Sequence, residues 1–68
     1  MQKSNTKEMY EIYQKNGWFM LENPFYDGKY YFYDPIKKAY YQYDEEYGEW
    51  NVVSTPYQIQ ILRERNGI

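Results

Sequence analysis

Apolar and polar positions follow a helical period at the start of the chain and a strand period through its middle, with Asn16-Gly17 as the boundary. Met9, Ile12 and Tyr13 fall on one helical face, while Lys7, Glu11 and Lys15 repeat at four-residue spacing elsewhere on the cylinder. Asn5 followed three positions later by Glu8 has capping-box spacing, which predicts a helix over 5–16 with 1–4 frayed. From Trp18 onward, short aromatic runs alternate with turn formers, the signature of an antiparallel meander over 18–53. Strands are predicted over 18–22, 29–33, 39–43 and 49–53, and Asn23-Pro24, Asp27-Gly28, Asp34-Pro35 and the acidic stretch 44–48 supply the turns. Phe25 and Tyr26 then belong to a loop or an irregular edge.

The last segment carries two conflicting signals. Thr55, Pro56 and Gln58 look like a helix start, and Arg63, Arg65 and Gly67 look like a helix end, so a helix is predicted over 55–67. Tyr57, Ile59 and Ile61, however, alternate with Gln58 and Gln60 at the period of a strand. With the helix reading, the fold class is α+β: a small antiparallel three- to four-stranded β-meander flanked by an N-terminal helix and a short C-terminal helix, one domain over 1–68.

Composition changes this picture in one respect. Eleven tyrosines, two tryptophans and three phenylalanines must build the core, because aliphatic residues are scarce. Tyr30, Tyr31, Phe32, Tyr33 and Asp34 are echoed ten positions later by Tyr40, Tyr41, Gln42, Tyr43 and Asp44. Side chains alternate across a strand, so both faces of such a hairpin are aromatic. A four-residue loop over 35–38 sets Tyr31, Tyr33, Tyr40 and Gln42 against Tyr30, Phe32, Tyr41 and Tyr43. A loop one residue longer makes one face all tyrosine: Tyr31, Tyr33, Tyr41 and Tyr43. In either register one face is expected to pack under both helices through Met9, Ile12, Ile59 and Leu62, leaving the other face to present phenols. Tyr31, Tyr33, Tyr41 and Tyr43 are the candidate contacts of that open face.

Tyr30 to Pro35, Tyr40 to Asp44 and the later Trp50 resemble the aromatic octamer-repeat (OCRE) domain, and Gly17-Trp18 with 27–32 is more faintly similar to the WW domain. The octamer-repeat resemblance implies an antiparallel sheet of tyrosine-rich strands that recognises proline-rich peptides through exposed tyrosines.

Charge and chemistry narrow the rest. Eight basic against ten acidic residues give a net charge of -2, so the chain as a whole offers no electrostatic case for gripping a phosphate backbone. Stacking of tyrosines on single-stranded bases is the weakest of the functional readings. Histidine and cysteine are both absent, which removes an imidazole base, a thiolate nucleophile and the usual zinc ligands. The expectation is a non-enzymatic protein-interaction module without cofactor or metal, binding an extended or proline-rich segment. The alternative is a small inhibitor or adaptor of the kind carried by mobile elements, blocking a folded protein through Trp50, Tyr47 and the acidic turn. Exposed aromatic edges would also let two copies pair as a homodimer. No apolar run is long enough for a membrane span, and a cytoplasmic location is the default expectation.

Overall fold

The computed structural model describes residues 4–68 and runs α1 (Ser4–Lys15), β1 (Phe19–Leu21), β2 (Tyr30–Asp34), β3 (Ala39–Asp44), β4 (Glu49–Val52) and α2 (Pro56–Asn66). The strands pair antiparallel in the order β1-β2-β3-β4, which makes the fold an α+β meander with a helix at each end. α1 begins at Ser4, inside the stretch expected to fray, so Asn5 is its second residue rather than its cap; the rest of that stretch, 1–3, lies outside the described residues. Asn16-Gly17 ends this helix as read. The Trp18 amide donates to the Tyr13 carbonyl at 3.0 Å and the Gly17 amide to that of Gln14 at 3.2 Å, the paired bonds of a Schellman stop.

The last segment is helical despite its alternating pattern. Pro56 occupies the first turn, the Ile59 amide donates to the Thr55 carbonyl at 3.0 Å, and the Thr55 hydroxyl makes no capping bond. Ile59 and Leu62, three residues apart, turn toward the sheet while Tyr57 stays exposed. No helix among the described residues is long and apolar enough to cross a membrane.

Register decides where the aromatics go. Tyr33 pairs with Tyr40 and Asp34 with Ala39, so the loop is the four-residue one. Corresponding positions of the ten-residue repeat therefore lie on opposite faces, and no face is all tyrosine. Each face also has its own helix. Phe32 and Tyr43 are buried with Met9 of α1, and Tyr13, Trp18, Tyr30, Tyr41 and Trp50 pack around them. On the other face Tyr31, Tyr40 and Val53 are buried with Leu62 of α2, joined by Leu21, Phe25, Tyr33 and Ile59. The expectation that both helices share one face is thus wrong: a sheet aromatic on both sides needs two apolar covers, and the chain provides one from each end. Ring pairs supply much of the packing. Trp18 stacks on Tyr41 at 4.2 Å, Tyr13 meets Phe32 at 4.7 Å and Tyr43 meets Trp50 at 4.7 Å, contacts that contribute about 0.5–1.5 kcal/mol each beyond their buried area.

Candidate functional site

The helix-covered sheet leaves few places where its tyrosines meet solvent in a concave setting. The clearest lies at the β2–β3 turn, where α2 crosses the sheet. Tyr33 and Tyr40 are cross-strand partners, and their rings lie 4.9 Å apart at 45°. Above them Ile59 and Arg63, four residues apart, descend from one side of α2. Gly67, left-handed at φ 70, stops the helix with its amide on the Arg63 carbonyl at 2.8 Å. Because the Ile68 amide bonds the same carbonyl at 3.3 Å, the chain folds back and sets Ile68 beside Ile59. Lys38 closes the cleft from the turn. The enclosed space is ≈ 350 Å³, and a broader depression continues from it along α2 past Pro56, Gln60 and Glu64.

The side chains lining the cleft are two phenols, two cations and two isoleucines, with no Asp or Glu among them. Burial raises the Tyr40 phenol above its ordinary value and the neighbouring Tyr33 adds to the effect, while the Arg63 charge pulls the other way. Tyr40 is therefore a neutral hydroxyl at physiological pH, suited to hydrogen bonding. Among the described residues no group of three or more acidic side chains could hold a metal ion. The arrangement can grip an apolar or aromatic side chain on its floor and an anion at its rim.

The six residues singled out in the sequence are not brought together. Tyr33 lines the cleft. Tyr31 is 0% exposed on the α2 face, and Tyr43 is 2% exposed on the α1 face, so neither is a surface contact. The four-residue loop and the second helix are the physical reasons. Tyr41 lies half-buried against Trp18, and Trp50 sits among Trp18, Phe32 and Tyr43. Tyr47 alone is open, 69% exposed on the acidic turn.

Tyr31 is instead the centre of a polar network that fixes the β1–β2 loop. Its hydroxyl donates to Asp27 Oδ2 at 2.7 Å and accepts from Gln42 Nε2 at 3.0 Å. Burial, together with that bond to Asp27, pushes the Tyr31 phenol up to about 12. Burial also works to raise the Asp27 carboxyl, but hydrogen bonds from Tyr31, the Lys29 amide and Asn23 outweigh it and hold the group below its ordinary value. This loop presents Tyr26, 84% exposed and left-handed at φ 53.

Tyr40, Lys38, Ile59 and Arg63 were not among the residues the sequence suggested. The signal for Tyr40 was present in the four-residue register; nothing in the sequence placed α2 over that end of the sheet. No protein-family model matches this chain, and neither the curated proteins nor the solved structures searched contain a match.

Proposed function

We propose that this chain is a non-enzymatic protein-interaction module that takes an extended peptide segment into the cleft between α2 and the β2–β3 hairpin. The observation that carries this reading is the Tyr33–Tyr40 pair. Tyr33 is half-buried and reaches the recess, and Tyr40, 6% exposed, closes its base from the core side. Two rings tilted at 45° leave a notch, the surface on which the ridges of an extended or polyproline segment dock. A preformed floor requires little ordering on binding, which favours affinity. The cleft offers no side-chain carboxylate, and the chain has no imidazole or thiol; Lys38 and the two phenols are read as binding groups.

A second reading rests on Tyr47, whose ring stands exposed beside Glu46 and Glu49 and would suit contact with a folded basic partner. Trp50 is engaged in the α1-side core and adds little to it. One experiment separates the two. In an amide-resolved NMR titration of labelled protein with a pool of proline-rich peptides, we expect shifts at 33, 38–40 and 59–63, weakened in Tyr33→Ala. Shifts confined to 45–50, or none, would overturn the cleft reading.

A further inference from the structure

The cleft lies at one pole of a charge-segregated molecule. In a meander successive turns fall at opposite ends of the sheet, so the turn 35–38 and the turn 45–48 are held apart by the length of the strands. Asp44, Glu45, Glu46 and Glu49 gather at one end, with Lys29 ahead of β2 beside them; Lys37 and Lys38, joined by Arg63 of α2, lie at the other, where the turn's own Asp34 is buried and taken up by the Ile36 and Lys37 amides. A chain of net charge -2 thus presents a positive recess. Among the described residues no carboxylate pairs with Lys38 or Arg63.

Lys38 is also an unusual choice for its position. Its backbone is left-handed at φ 54, and the equivalent position of the β3–β4 turn is Gly48 at φ 66. An L residue pays a steric penalty in that region which glycine avoids. A lysine there, at the rim of the cleft, points to a use for the ammonium group.

We infer that the segment taken by the cleft is acidic: its carboxylates pair with Lys38 and Arg63 while an apolar side chain lies on the Tyr33–Tyr40 floor. The inference rests on the peptide-binding reading and adds the chemical class of the ligand. Arginine suits carboxylates through its planar fork, and lysine at the rim adds a mobile point charge.

The test uses the full chain and two peptides: a short leucine- and proline-containing peptide with flanking glutamates, and the same peptide with glutamine in their place. Affinities are measured by titration calorimetry across a salt series, with NMR shifts to locate the site. The expected result is a preference for the glutamate peptide of about tenfold at low salt, shrinking as salt rises. Lys38→Gly and Arg63→Gln should each reduce that preference, weakening binding of the glutamate peptide more than that of the glutamine peptide, in a protein that still unfolds cooperatively. Equal affinity of the two peptides, with shifts at 33 and 40, would overturn the acidic-ligand inference while the peptide reading stood. Failure of both to bind would overturn both. A third arm uses a single-stranded oligothymidylate; if it occupied the cleft more tightly than the glutamate peptide, the cations and rings would be serving phosphates and bases, and the inference would fall.

Discussion

The turn after β2 and the turn after β3 share one backbone device and differ in chemistry. Each opens on an aspartate whose Oδ1 accepts the amides two and three residues ahead: Asp34 from Ile36 at 2.9 Å and Lys37 at 3.2 Å, Asp44 from Glu46 at 3.0 Å and Tyr47 at 3.4 Å. Each closes on a left-handed residue four positions on, Lys38 in the first and Gly48 in the second. The ten-residue repeat in the sequence is this unit, a strand followed by an aspartate-led turn. Its tyrosines serve opposite faces in the two copies, so what is repeated is the turn and not a binding surface. The divergence lies in the loops. One copy places lysines beside a cleft, and the other places carboxylates beside an exposed Tyr47.

The comparison breaks most visibly at the aspartates. The Asp34 side chain is buried and its two turn bonds are part-buried, whereas Asp44 is only half-buried and its bonds are exposed and longer. Asp34→Ala should cost about 2–3 kcal/mol of stability in denaturant unfolding, and Asp44→Ala about 1 kcal/mol. Equal losses would mean that the turn itself, rather than burial of the carboxylate, sets the cost.

Much of this framework was legible in the sequence. Asn23-Pro24, Asp34-Pro35 and the stretch from Asp44 mark all three connections, because an Asx side chain can stand in for a missing backbone acceptor. Asn23 does so too, accepting from Phe25 at 2.8 Å and Tyr26 at 3.1 Å. The strands and both helices follow from such stops. The site was not legible, for two physical reasons. Alternation orients a strand only when one face is polar, and here Tyr30 and Tyr31 satisfy either side equally. The apolar stripes of α1 and α2 fit either face, so nothing local said that Met9 and Leu62 would end up on opposite sides of the sheet. Tyr31 and Tyr43 were therefore read as surface.

The closing residues give the next sharpest contrast. Gly48→Ala forces an L side chain into the left-handed region and should cost about 1–2 kcal/mol. Lys38→Gly should leave stability within about 1 kcal/mol of the parent, because relief of strain offsets the entropy that glycine adds to the unfolded chain. If Lys38→Gly unfolded the protein, the lysine would be holding the turn together, and its assignment to a ligand would lose its main support.

A similarly small effect at neutral pH comes from the connection that departs from this device. The β1–β2 loop leans on Tyr31 and Asp27 as well as on Asn23. Tyr31→Phe removes the phenol's bonds to Asp27 and Gln42 and should cost about 1 kcal/mol near neutrality. Its signature is at the pH extremes. A phenol pushed up to about 12 in the fold and titrating near 10 when unfolded holds its proton more tightly in the native state. Its contribution is whole below pH 10 and drains away as pH rises toward 12. Tyr31→Phe should therefore flatten the alkaline decline in stability without abolishing it, since Tyr30, Tyr40 and Tyr43 are raised as well, each chiefly by burial. Asp27 works in the opposite sense. Its carboxyl is depressed in the fold, so its contribution is present above the unfolded carboxylate range near pH 4 and is lost as pH falls through the lower native value. Asp27→Asn should flatten the acid limb in urea titrations run from pH 5 downward. An acid limb left unmoved by Asp27→Asn would show that the bond between Tyr31 and Asp27 does not hold this loop, and that Asn23 alone makes the connection.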